Sequence, residues 1–108
     1  DPDGAERALR QAIELAPKSA EYRLNLGMLL LTQNRFEEAA DSFRQSIQLQ
    51  PTSGLAHFGL GESLLGTNDR LGAKKAFDEA HRLLPGHELI KQRLKELAKE
   101  SEDGNSMR

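Results

Sequence analysis

The side chains best suited to acid–base or metal chemistry near neutral pH are the three histidines, His57, His81 and His87. His81 and His87 are separated by a short segment that contains Pro85, so no single helical face can carry both. The chain has no cysteine, which excludes disulfides, thiol catalysis and thiolate metal ligands. We interpret the histidines as exposed surface residues and expect no metal site.

Other catalytic patterns are also missing from the sequence. It contains no His-Glu-x-x-His, no Gly-x-Ser-x-Gly and no Walker loop. Gly59, Gly61 and Gly66 could suggest a phosphate loop, but they lie inside a predicted helix and follow no predicted strand. Because no nucleophile is paired with a base at a usable spacing, we predict that the chain is not an enzyme and needs no cofactor.

The charge pattern excludes two further classes of partner. Fifteen basic and 17 acidic residues are interspersed, with a net charge of −2, whereas nucleic acids and anionic membranes attract basic faces. The longest apolar run, Met28 to Leu31, is far short of the roughly 20 residues that span a bilayer. We predict no nucleic-acid partner and no membrane insertion. No signal peptide is recognisable, and cytoplasm and periplasm are not distinguishable.

The chain repeats with one period. Pro17, Pro51 and Pro85 follow one another at equal intervals. The same offset relates further pairs, namely Gly27 and Gly61, Ala39 and Ala73, Phe43 and Phe77, and Leu49 and Leu83. A fixed period of about 34 residues indicates one supersecondary unit that stacks on copies of itself.

Each period predicts two helices. Ser19 can cap the first helix of a period, and Asn34 stands where that helix should stop, because asparagine tolerates the left-handed conformation. Asn68 repeats the stop one period later, and Pro51 prevents the second helix from continuing. The small residues Gly27, Ala39, Gly61 and Ala73 are expected where the two helices cross, with Phe43 and Phe77 filling the space between hairpins.

These positions together resemble the tetratricopeptide repeat (TPR) signature. The residues that carry the resemblance are Leu26, Gly27, Leu30, Ala39, Phe43 and Pro51, and then Leu60, Gly61, Leu64, Ala73, Phe77, Ala80 and Pro85. Three kinds of position depart from the family pattern: Arg23 and His57 stand where tryptophan is common, Leu30 and Leu64 stand where tyrosine is common, and Ser46 replaces a usual alanine.

The resemblance implies an all-α fold, a right-handed superhelical stack of antiparallel helical hairpins. We expect one TPR domain over 1–100, followed by a disordered tail over 101–108. Within the domain we expect the second helix of a partial repeat at 2–16, full repeats at 20–53 and 54–87, and a capping helix at 88–100. The first residues do not resemble a natural start, so we expect a fragment of a larger TPR protein.

The resemblance also implies a concave groove lined by the first helix of each repeat. The partner-binding residues expected there are Glu21, Leu24, Asn25, Met28, Leu31, Leu55, Phe58, Glu62 and Leu65. The capping helix offers Leu89, Gln92, Arg93 and Glu96. Some TPR domains grip a carboxylate with cations in this groove, but Leu55 and Gly59 hold positions where such cations would stand. The apolar residues serve either a partner or the packing of neighbouring helices.

Two functions follow as alternatives. The first is a protein–protein interaction scaffold that binds a partner peptide or helix in the groove, through apolar contacts. The second is an assembly module that self-associates or packs on another domain of its own parent chain. Leu9, Ile13 and Leu15 lie on a first helix that lacks its partner, so a homo-oligomer through this helix is one form of the alternative.

Overall fold

The computed structural model describes residues 1–106, and in this part of the chain every regular element is an α-helix. The helices are α1 Pro2–Leu15, α2 Ala20–Thr32, α3 Phe36–Leu49, α4 Gly54–Gly66, α5 Arg70–Leu83 and α6 Glu88–Ser106. Helices α2 and α3 form one antiparallel hairpin and α4 and α5 form the next, with α3 packed against α4. The stack is elongated, with extents of 52 × 25 × 20 Å.

Short polar side chains define where the helices begin and end. The Ser19 hydroxyl accepts from the Tyr22 amide at 3.2 Å, and the Ser53 hydroxyl accepts from Ala56 in the same way one period later. These bonds satisfy amides that the first helical turn leaves without partners. Asn34 and Asn68 adopt left-handed backbone angles, with φ of 60° and 66°. The predicted start at Ser19 and the predicted stops at both asparagines are confirmed.

The two departures from the family's tryptophan have a shared role. Arg23 Nη2 donates to the Pro17 carbonyl at 3.1 Å. His57 Nε2, at the equivalent position of the next repeat, lies 3.0 Å from the Pro51 carbonyl. Because a carbonyl only accepts, His57 carries its proton on Nε2. Both side chains therefore tie the first helix of a repeat to the proline turn before it.

The core consists of two clusters that meet at one residue. Leu26, Leu30, Ala39 and Phe43 form the first cluster, and Leu64, Ala73 and Phe77 form the second. Leu60 packs against both clusters, so the apolar interior is continuous from one hairpin to the next. Phe43 and Phe77 are fully buried. Phe43 lies against Gly27 of one hairpin and Gly59 of the next, as predicted for a ring between hairpins.

Glycines make room for these rings. A Cβ atom on Gly27 would lie 2.9 Å from the Phe43 ring, and one on Gly59 would lie 2.3 Å from the same ring. Gly61 holds the corresponding position against Phe77, at 2.5 Å. The sequence predicts that Gly27 and Gly61 allow close helix crossing. The structure adds that the group they admit is an aromatic ring, and that Gly59 serves the same purpose.

The two ends of the stack differ from each other. At the start, Leu9 and Ile13 of α1 are half-buried against the first cluster, and Leu15 is 88% exposed. At the other end, Ile90 is fully buried in α6, and other apolar residues of α6 pack against the second cluster.

The last helix is longer than the sequence predicts. A disordered tail is expected over 101–108, whereas α6 continues to Ser106 and 107–108 lie outside the described residues. No proline interrupts this segment, and its one glycine opposes the helix by only about 1 kcal/mol relative to alanine. The continuation of α6 is therefore compatible with local propensity.

Candidate functional site

The residues predicted to line the groove come from α2 and α4, and α6 continues the same row. Helices α2 and α4 contact each other, and Arg93 of α6 bonds Glu62 of α4. Helices α2, α4 and α6 are each the first helix of a period, and each packs against the second helix of the preceding period. The three helices therefore lie side by side. Their exposed side chains form one surface, which we call the first-helix surface.

Four of the predicted residues pack on the core. Leu24 and Leu31 lie against the first cluster, and Phe58 and Leu65 lie against the second. The Phe58 ring is 5.7 Å from the Phe77 ring and 5.8 Å from the His87 ring, measured between centroids. These contacts correspond to the packing alternative raised by the sequence.

Three apolar side chains remain open to a partner. Met28 is 48% exposed and Leu55 is 50% exposed, and both belong to the predicted site. Leu89 of α6, which stands one period after Leu55, is 38% exposed. Sequence reasoning placed Leu89 on the capping helix without including it among the expected binding residues. The constant repeat period is the signal that identifies it.

Around the exposed apolar residues, the polar groups are acidic or neutral or are already paired. Glu21 and Asn25 of α2 are exposed. Glu62 is held by α6, since Arg93 Nε donates to its Oε1 at 2.5 Å and Arg93 Nη2 lies 3.4 Å from its Oε2. Glu96 lies 3.6 Å from the same guanidinium. The hydrogen bond that Arg93 donates to the Glu62 carboxylate raises the pKa of Arg93 above its ordinary value, so the guanidinium stays charged.

The histidines are not the free surface groups that the sequence predicts. His57, His81 and His87 are each partly buried. His57 is bonded to the Pro51 carbonyl, and the His87 ring lies tilted against the Phe58 ring. Within the part of the chain that the structure describes, no group of three His, Asp or Glu side chains could hold a metal ion.

Two open cavities lie away from the first-helix surface. One of about 590 Å³ lies between α5 and α6 and is lined by Arg70, Leu71, Lys74, Leu97, Glu100 and Ser101. Another, of about 380 Å³, is lined by residues of α1, α2 and α3. Neither contains a predicted partner-binding residue. The exposed residues of the first-helix surface are spread over three successive helices, which suits an extended or helical segment better than a small molecule.

Among residues 1–106, no helix has both the length and the apolar content that crossing a bilayer requires.

Solved structures share this stack of helical hairpins. The TPR domain of Sgt2 from Aspergillus fumigatus superposes with a TM-score of 0.90 at 21% identity, over 97% of this chain and 71% of that one. The first TPR of Spaghetti (RPAP3), bound to the HSP90 peptide SRMEEVD, gives 0.88 at 15% identity, over 91% and 78%.

A third structure is an O-GlcNAc transferase mutant from Thermobaculum terrenum. It gives a TM-score of 0.80 at 24% identity, over 85% of this chain but only 18% of that chain. These likenesses establish the fold, a TPR solenoid. Comparison with curated protein sequences gave no match.

The family profile described as tetratricopeptide repeat matches residues 1–54 and 33–88. These two ranges overlap and together cover the helices from α1 to α5. The chain therefore belongs to the tetratricopeptide repeat family.

Proposed function

We propose that this chain is a protein–protein interaction module that holds an apolar or amphipathic segment of its partner on the first-helix surface. The observation that carries the proposal is the exposure of Met28 and Leu55 on two adjacent helices, about half of each side chain being accessible. Burying such side chains against a partner is favourable by roughly 25 cal/mol per Å² of apolar surface. The flexible thioether of Met28 can adapt to differently shaped partners.

The fold relatives support this proposal. One of them is bound to a peptide, and stacked helical repeats present extended binding surfaces. No residue constellation of the described chain favours catalysis over binding. We accordingly propose a scaffold that acts by holding a partner.

The test is a pair of charge insertions at the exposed apolar residues. Met28→Glu with Leu55→Glu should abolish the binding of peptides selected on the wild-type chain from a random-peptide phage library. The helical circular dichroism signal should be unchanged, because neither side chain belongs to the buried clusters. Leu24→Glu or Phe58→Glu would be less informative, since both residues pack on the core and their loss would also destabilise the fold.

The matched control is the same change at two exposed leucines elsewhere. Leu15 is 88% exposed on α1 and Leu71 is 80% exposed on α5. Leu15→Glu with Leu71→Glu should leave peptide binding intact. Equal loss of binding in both double variants would contradict a site on the first-helix surface.

The alternative, an assembly module, depends on α1. Leu15 is the most exposed of the large apolar residues, but Leu9 and Ile13 pack on the first cluster, which leaves little free apolar area for a second copy. A mass that rises with concentration in light scattering, and that Leu15→Glu reverses, would favour assembly. We expect the mass of a monomer.

A further inference from the structure

Acidic and apolar side chains lie next to each other on the first-helix surface. The period relates Glu21 of α2 to Leu55 of α4 and Leu89 of α6, which are all exposed. A second row, about two turns farther along each helix, contains Met28, Glu62 and Glu96. Each row therefore offers apolar contact area next to a carboxylate.

Arg93, which lies between these two rows on α6, is already engaged. Arg93 lies within bonding distance of Glu62 and within 3.6 Å of Glu96, so two carboxylates share one guanidinium. A partner carboxylate would have to displace them. Lys99 is exposed, and it occupies in α6 the position that Leu65 occupies in α4. It lies near the end of α6 that is farther from Leu55 and Leu89. Around the exposed apolar residues the surplus charge is negative, from Glu21 and from the carboxylates around Arg93.

Building on the proposed function, we infer that the bound segment is basic and amphipathic, with apolar residues against Met28, Leu55 and Leu89 and lysine or arginine against Glu21 and Glu96. Lysine and arginine suit such a mixed surface, because their methylene stems cover apolar groups while their charged ends reach carboxylates. An acidic segment would instead place like charges together at both ends of the apolar row, which disfavours binding.

The strength of these contacts is modest and measurable. Glu96 has half of its side chain exposed, and Glu21 is exposed as well. Solvent therefore screens both pairs, and each should change the Kd by about two- to fivefold. The apolar contacts supply most of the affinity, and the carboxylates select the charge of the partner.

The experiment is a comparison of peptide selections on whole chains. Peptides selected from a random phage library on the wild-type chain should combine Leu, Ile, Met or Phe with Lys or Arg. Their affinity should fall as the salt concentration rises. Glu21→Lys with Glu96→Lys should weaken the binding of these peptides about tenfold and should select acidic peptides from the same library. The acidic peptide SRMEEVD should bind this double variant more tightly than it binds the wild type.

The control makes the same change of charge elsewhere. Glu14→Lys with Asp41→Lys adds the same charge on α1 and α3, outside the first-helix surface, and should leave the selection basic. If this control shifted the selected peptides toward acidic sequences as far as Glu21→Lys with Glu96→Lys does, net charge alone would determine the selection. That result would overturn the inference.

The remaining outcomes separate the inference from the proposed function. If wild-type peptides are neutral or acidic, while Met28→Glu with Leu55→Glu still abolishes their binding, the charge inference is wrong and the binding surface stands. If no peptide binds the wild type better than it binds that apolar-site variant, the proposed function fails, and the inference fails with it.

Discussion

At the scale of single residues, the ring of Phe43 explains two glycines in helix interiors. Glycine opposes helix formation by about 1 kcal/mol relative to alanine, yet Gly27 and Gly59 occupy internal positions of α2 and α4. Both are in contact with the fully buried Phe43 ring. The close approach of ring and backbone compensates for the poor helix propensity, because it allows two helices to pack on one aromatic side chain.

Gly59→Ala should therefore destabilise the fold despite its better helix propensity. The added Cβ would lie 2.3 Å from the Phe43 ring, and overpacking a core typically costs about 1–3 kcal/mol. Chemical denaturation should show a lower midpoint than in the wild type. Gly86→Ala is the control, since a Cβ there meets nothing within 4 Å, and it should be neutral or slightly stabilising. A stabilising effect at both positions would refute the proposed role of Gly59.

At the level of helices, ion pairs connect α1 to the first complete hairpin. We call the group formed by Arg35, Glu6 and Glu38 the clasp. Arg35, in the turn between α2 and α3, lies 2.6 Å from Glu6 of α1 and 2.7 Å from Glu38 of α3. Hydrogen bonds from Arg35, and then from Arg10, lower the pKa of Glu6 below its ordinary value. Arg35 likewise lowers the pKa of Glu38. The clasp holds the unpaired first helix against the first complete hairpin.

The clasp predicts a dependence on acidity. A carboxyl group whose pKa is lowered in the folded state contributes stability above its unfolded pKa, near 4.3, and this contribution is lost as the pH falls through the folded value. Glu6→Gln should lower the Tm at neutral pH, and the difference from the wild type should shrink in acid. Glu14→Gln, on the same helix, should show no such convergence. A Tm difference for Glu6→Gln that is constant across the acidic range would contradict the clasp.

At the scale of the whole molecule, the two clusters should unfold together. Leu60 contacts both clusters, and Phe43 is in contact with Gly27 of one hairpin and Gly59 of the next. In repeat proteins the stability is the sum of the repeats and of the interfaces between neighbours. With so few repeats and shared core residues, we expect a single transition.

Ala73→Trp tests this coupling. Ala73 is fully buried in the second cluster, so an indole there would separate α4 from α5. The circular dichroism melt should lose most of its helical amplitude, including that of the first hairpin. Lys74→Trp, at the exposed neighbouring position, should melt like the wild type. An unchanged melt for Ala73→Trp would mean that the repeat register is wrong.

Much of the fold could be predicted because the residues that specify helix ends and hairpins act locally and recur in each repeat. The repeat period marked by the prolines predicted the hairpins, and Ser19, Asn34 and Asn68 predicted helix ends, because caps and left-handed stops act within one turn of the chain. The end of α6 could not be predicted in the same way. Residues 101–106 carry neither a strong stop nor a strong apolar pattern, so local signals leave the boundary open.

For the candidate site, the sequence predicts the helical faces but not which of their residues stay exposed. The sequence alone indicates that the first helices carry more apolar residues than one core face needs, and that no catalytic constellation accompanies them. Which of these residues stay exposed depends on tertiary packing. Phe58 packs against Phe77 and His87, while Leu55 and Met28 stay exposed. Arg93 bonds Glu62, which lies 31 residues away in the sequence. The physical reason is that burial and ion pairing depend on helices distant in sequence, whereas helical periodicity reports only which residues share a face.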